Sequence, residues 1–168
     1  TSLNSISIPS SVTQLGQGVF SNCSSLVDIS LPETITIIND RMFSYCSKIT
    51  EIELPTSATY LGDYSFSGCS SIVHFDIPEM VTSIGIGVFQ ECSNLKDIRI
   101  PEIITTINNS LFSHCSSLET ISLPSELIKI DDNAFSYCSM LNLIDIPKSV
   151  KNIGGNAFSH CSSLTEVV

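Results

Sequence analysis

The chain has 168 residues, with 7 Lys plus Arg against 17 Asp plus Glu and a formal net charge of −10. That balance lacks the clustered cations that nucleic-acid phosphates demand, opposes docking on an anionic membrane surface, and leaves room for a basic protein partner. No apolar run approaches the ~18 residues that a bilayer span needs, and no charged-then-apolar leader stands at Thr1.

The organising feature is a period of 23 residues, repeated without insertion or deletion. Phe falls at 20, 43, 66, 89, 112, 135 and 158, Cys at 23, 46, 69, 92, 115, 138 and 161, and Pro at 9, 32, 55, 78, 101, 124 and 147. A period of this length means stacked supersecondary units, each touching only its neighbours. The whole of 1–168 is therefore one solenoid of about seven 23-residue repeats. Its rise per coil is expected near strand spacing, roughly 4.8 Å.

Within one unit the elements follow in order. Leu26-Val-Asp-Ile29-Ser-Leu31 alternates as a half-buried strand, with residues 28 and 30 facing water. Pro32 ends it and starts a corner, because proline lacks an N–H and fixes φ. Ile35 and Ile38, with Thr36, mark a short second strand. The next position holds only Gly16, Asn39, Gly62, Gly85, Asn108, Asp131 or Gly154, residues that reach left-handed φ cheaply, and predicts a turn. Val19, Phe20 and Cys23 share one face at helical spacing, which predicts a single inward-facing helical turn. Asp40, Asp63 and Asp132 stand where its N-cap belongs. Ser follows each Cys and is expected to bond local backbone.

The pattern Leu-x-x-Ile-x-Leu-Pro, then Val-Thr-x-Ile-Gly, then Ala-Phe-x-x-Cys-Ser-x-Leu resembles the leucine-rich repeats of the BspA-like family, over essentially the whole chain. The resemblance implies a right-handed coil with a parallel β-sheet on its concave face, short second strands and single helical turns elsewhere. It also implies a non-enzymatic protein-binding module of a surface or secreted adhesin-like protein, with a matrix or host protein among its partners. An intracellular, cytoplasmic scaffold array is the alternative that the same fold supports. Ala58, Met42, Ser65 and Phe75 depart from the repeat pattern.

The chemistry-bearing residues point away from catalysis, metals and cofactors. In a straight inward column with one thiol per coil, four sulfurs cannot converge on a zinc, and parallel side chains hold neighbouring sulfurs beyond bonding distance. The cysteines are read as small core hydrophobes. His114 and His160 lie two coils apart, too far to share a metal, and the Ser-His adjacencies at 113–114 and 159–160 are not a nucleophile–base geometry. The glycosylation triplets Asn22-Cys-Ser24 and Asn108-Asn-Ser110 carry little weight, one beside a buried Cys and one at the turn.

The informative surface is the outward side of the first strand. Glu51, Glu53, His74, Asp76, Asp97 and Arg99 gather there as the candidate partner-binding residues, with Arg99 beside Asp76. Ile37 with Tyr60, and Met80 with Ile103, are outward apolar pairs that offer contact with a neighbouring solenoid. The chain opens at Leu3-Asn-Ser-Ile6 and closes at Leu164-Thr-Glu-Val167-Val168 without polar caps, as expected of an excerpt from a longer array.

Overall fold

A computed structural model of the chain describes residues 2–167, so Thr1 and Val168 lie outside it. The strands are β1 (Ser5–Ser7), β2 (Asp28–Ser30), β3 (Ile37–Ile38), β4 (Tyr60–Leu61), β5 (His74–Asp76), β6 (Ser83–Ile84), β7 (Asp97–Arg99), β8 (Thr106–Ile107), β9 (Lys129–Ile130), β10 (Leu143–Ile144), β11 (Asn152–Ile153) and β12 (Glu166–Val167). All pairings are parallel and join positions 23 residues apart, such as Ile6 with Ile29 and Phe75 with Ile98. The result is a parallel β-solenoid. We number its coils from the one carrying β1, so that coil 2 carries β2, coil 4 carries β5 and coil 5 carries β7. Joint 1 lies between coils 1 and 2.

Each coil has three sides. The strand face holds β1, β2, β5, β7, β10 and β12. Proline ends each of its segments and accepts the N–H three residues on, from Val12 onto Pro9 through to Val150 onto Pro147, so the expected corner forms at all seven prolines. The second face holds β3, β4, β6, β8, β9 and β11. The third is the turn face, which carries the Phe and Cys columns.

The core is one side chain thick and runs the length of the stack. Consecutive Phe rings from Phe20 to Phe158 stack with centroids 5.3–6.0 Å apart. Phe75, a departure from the repeat, reaches across from the strand face and meets Phe66 and Phe89 edge-on at 4.8 Å. Cys23 to Cys138 are buried as expected. Their thiols are also hydrogen-bonded: each Sγ from Cys46 to Cys161 donates to the Phe carbonyl of the coil before, at 3.1–3.2 Å.

The turn face departs from the sequence reading in four ways. No helix forms among the described residues. In its place run overlapping β-turns, as in Met42 N–H onto Asn39, Ser44 onto Arg41 and Cys46 onto Phe43. The residues two before and two after Phe take positive φ even when bulky, as at Arg41 (54°), Tyr45 (58°), Tyr64 (56°), Glu91 (62°) and Tyr137 (62°). Such a conformation costs about 1–2 kcal/mol per non-Gly residue. It aims alternate N–H groups along the solenoid axis, and these offset the cost: Arg41, Phe43 and Tyr45 donate to Asp63, Ser65 and Ser67, and the same three bonds recur at all six joints from Gly18 to Ser159.

Second, the Gly, Asn and Asp position before the turn does not have positive φ; the left-handed residues stand two places later. Third, Asp40, Asp63 and Asp132 do not cap their own turn. Each carboxylate accepts the N–H of the same position one coil on, at Asp63, Ile86 and Gly155 (2.6–3.0 Å). This explains the glycines. A Cβ on Gly62, Gly85 or Gly154 would stand 2.4–2.6 Å from the Asp carboxylate of the coil before. One coil on, Gly stands against each of these Asp residues, whereas the equivalent partners of Gln17, Ile86 and Asn109 are Asn39, Asn108 and Asp131. Fourth, Val19 is 47% exposed, while Met42, Ser65 and Val88 at the same position are fully buried, each beneath the coil before.

Candidate functional site

The repeat places every second residue of the first strand outward, and the structure keeps that assignment. Ile29, Phe75 and Ile98 are buried, whereas Asp28, Ser30, Glu51, Glu53, His74, Asp76, Asp97 and Arg99 are exposed. The predicted candidates therefore share one face, in register: His74 opposite Asp97 and Asp76 opposite Arg99.

Two side-chain contacts consume part of this set. His74 Nδ1 lies 2.8 Å from Asp97 Oδ2. Arg99 turns from its register partner Asp76 to the corner, where Nη2 lies 3.4 Å from Glu79 Oε1. That corrects the expected Asp76–Arg99 pair. The long guanidinium reaches past the strand end to Glu79, a residue that sequence reasoning left out. Among the described residues, Glu51, Glu53 and Asp76 then have no hydrogen-bond or ion-pair partner.

The main chain is unusual at the same place. Thr50–Leu54, the strand-face segment of coil 3, forms no strand and makes no main-chain bond to β2 or β5. A cleft of about 420 Å³ opens on its coil 2 side, lined by Val27–Leu31 and Thr50–Glu53. A cleft of about 620 Å³ opens on its coil 4 side, where Glu51, Glu53, His74, Asp76, Glu33 and Glu79 are among the lining residues. Glu33 is already engaged. Its carboxylate accepts from Thr56 N–H and Oγ1 and from Ser57 N–H, and these bonds hold its pKa below the usual value. Like charges in one column repel at close range. Glu53 and Asp76 thus flank an open seam with unspent acceptor capacity.

Elsewhere the surface offers less chemistry. His114, Tyr137 and His160 stack at 4.4 and 4.2 Å on the turn face, so the two histidines are parted by a ring. No cluster of three His, Cys, Asp or Glu with metal-binding geometry occurs among the described residues. Burial pushes the thiols from Cys46 to Cys161 up, Cys46 to about 11 and Cys92 to about 12, which removes the thiolate that nucleophilic chemistry needs. Asn22 lies exposed at positive φ with its amide on Ser21 and is followed by buried Cys23, whereas the Asn108 amide donates to the Ile84 carbonyl and is held in the coil. Met80 and Ile103 are exposed at 60% and 58%. No helix among the described residues is long and apolar enough to cross a membrane.

The repeat and its anchors match the family model of the BspA-type leucine-rich repeat region in six copies, over residues 1–119 and 82–168. A leucine-rich repeat protein of Bacteroides ovatus is 30% identical, with a TM-score of 0.85 over 98% of this chain and 55% of that one. The Treponema pallidum leucine-rich repeat protein is 28% identical, with a TM-score of 0.73 over 98% of this chain and 66% of that one. A leucine-rich cell-surface protein of Faecalibacterium prausnitzii is 28% identical, with a TM-score of 0.57 over 98% of this chain and 59% of that one. The chain thus spans between about half and two thirds of these proteins. No curated protein sequence matches it. With its 23-residue coils and its Pro, Phe and Cys columns, the chain belongs to the BspA-type leucine-rich-repeat family.

Proposed function

We propose that the chain is a non-enzymatic protein-binding module of a surface or secreted adhesin-like protein, and that it meets a basic partner on the strand face. The observation that carries this reading is the coincidence, at coil 3, of unpartnered Glu51, Glu53 and Asp76 with an open seam in the main-chain ladder. The partner contacts Asp97 on the next coil as well, and His74 and Arg99 set the register of contact. Membership of a leucine-rich-repeat family supports a protein partner, and a matrix or host protein is the class we propose. The cell-surface relative supports the location.

Clustered carboxylates on a rigid face raise the encounter rate of a cationic partner, and salt screens that steering with a Debye length of about 8 Å at physiological strength. Replacing Glu51, Glu53, Asp76 and Asp97 by Gln and Asn is expected to lower the association rate of a lysine- and arginine-rich peptide and to flatten its salt dependence, with folding stability unchanged or slightly raised. The matched control reverses Glu91, on the turn face. Weaker binding in the Glu91 variant together with unaltered binding in the fourfold variant would move the binding face to the opposite side.

A further inference from the structure

The two sheet faces share out the main-chain hydrogen bonds between them. At joints 1 and 4 the strand face is paired, β1 with β2 and β5 with β7, while the second face has no main-chain bond. At joints 2, 3, 5 and 6 the second face is paired, β3 with β4, β4 with β6, β8 with β9 and β9 with β11. The strand face at those four joints carries no ladder beyond an isolated bridge between Arg99 and Ser122 and one bond at its entry to coils 6 and 7.

One residue per coil tracks this choice. Joints 1 and 4 are those with Asn, at Asn39 and Asn108, and each side-chain Nδ2 donates to the carbonyl of the coil before, Leu15 and Ile84. At the other four joints the same position is Gly62, Gly85, Asp131 or Gly154, and its backbone N–H donates to that carbonyl, of Ile38, Leu61, Ile107 and Ile130, at 2.7–2.8 Å. The chemistry explains the split. Asn carries a side-chain donor, whereas ionised Asp only accepts and Gly has no side chain. When the amide takes the carbonyl, the main chain stands off by a side chain's length on the second face. The Asp–Gly interlock is not the cause, since joint 5 has Asn109 and Asp131 and still pairs on the second face.

We propose that the residue at this position decides, joint by joint, which face of the solenoid is hydrogen-bonded, and so where the strand face opens. Coil 3 is open on both sides because Gly62 and Gly85 flank it. A cleft of about 670 Å³ at joint 6, lined by Ile121–Leu123, Ser125 and Asp145–Lys148, accompanies Gly154 in the same way. Gly62 and Gly85 are then positioning residues for the partner site, a consequence that rests on the function proposed above.

Amide hydrogen exchange on the full chain tests the switch through Asn108→Asp, which removes the donor at nearly constant shape and copies Asp131. Amides of Thr105 and residue 108 are expected to gain about tenfold protection as the second face pairs at joint 4, and those of Asp97 and Arg99 to lose as much. Asn108→Gly, free of the added charge, is expected to do the same. Asp131→Asn is expected to shift protection the other way at joint 5, from residue 131 to Thr120 and Ser122. Unchanged exchange on both faces in Asn108→Asp would overturn the proposal. So would a uniform loss that includes Phe112, a turn-face amide outside the switch. Binding of the basic peptide, measured in parallel, separates the two claims. A switched exchange pattern with unaltered peptide binding leaves the switch standing and removes the partner site.

Discussion

The turn face and the strand face of the solenoid are built from the same 23-residue unit, yet they differ in how they are held. On the turn face three axial main-chain bonds recur at every joint, a thiol bond follows at each step from Cys46 to Cys161, and the Phe rings stack without a gap. On the strand face the ladder closes at some joints and opens at others. The difference teaches that cohesion resides on one side of the coil. The other side can vary its bonding, shape and charge without loss of the stack. That division suits a recognition repeat, because a binding face is then free to diverge over a fixed spine.

The largest way to break the comparison is alkali, because the spine contains the thiols. Desolvation raises the pKa of Cys46 to about 11 and of Cys92 to about 12, and raises Cys69, Cys115 and Cys138 as well. A raised folded pKa keeps the thiol protonated in the fold while the unfolded chain, near 8.5, releases its proton. The stabilisation is therefore whole below about pH 8.5 and falls as pH rises toward the folded values, by about 1.4 kcal/mol per thiol for each pH unit. Urea midpoints are expected to drop steeply between about pH 9 and 11, with no labelling of the buried thiols from Cys46 to Cys138 before unfolding. A midpoint flat through pH 10 would contradict the sealed spine.

Phe89→Ala comes next, at a cost of about 3–5 kcal/mol. Phe89 stacks between Phe66 and Phe112 at 6.0 and 5.7 Å and takes the edge of Phe75 at 4.8 Å, in a core with little material to collapse into the void. Coupling between coils is nearest-neighbour, so hydrogen exchange should quicken in coils 3 to 5. Equal quickening at Ile8 and Ile146 would show that the spine does not localise damage.

Much of this architecture was legible in the sequence, and the misses have a common cause. Period, core columns, proline corners and outward carboxylates are properties of a residue and its neighbours along the chain, so pattern alone places them. What was missed depends on the coil above or below. Val19, Phe20 and Cys23 have helical spacing, but axial bonds draw the backbone into linked turns. Asp63 is placed like an N-cap, but Ile86 is the N–H it reaches. Gly62 suggests left-handed φ, but its missing Cβ makes room for Asp40. Comparing position with position across coils exposes the Asp–Gly pairing in the sequence itself. The Arg99–Glu79 pair and the open seam at coil 3 leave no such trace, since both depend on how far neighbouring strands stand apart.

The smallest test sharpens the comparison from inside the spine. Ser65 stands where Met42, Val88 and Leu111 fill the same column, and it is fully buried. Its Oγ has no hydrogen-bond partner among the described residues. A buried hydroxyl without a partner costs about 1–3 kcal/mol of desolvation, and replacing it by hydrogen removes that cost while leaving only a small void. Ser65→Ala is therefore expected to stabilise the chain by about 1 kcal/mol, read as a higher urea midpoint at unchanged slope. Because Ser65 lies behind coil 3, the gain should reach the turn-face amides of Phe43 and Phe66, whose bonds run to Ser65 and Val88, and leave the open segment Thr50–Leu54 as fast in exchange as before. Slower exchange across Glu51–Glu53 in this variant would mean that the two sides of the coil are tightened together. The strand face would then lack the independence on which a freely variable binding surface depends.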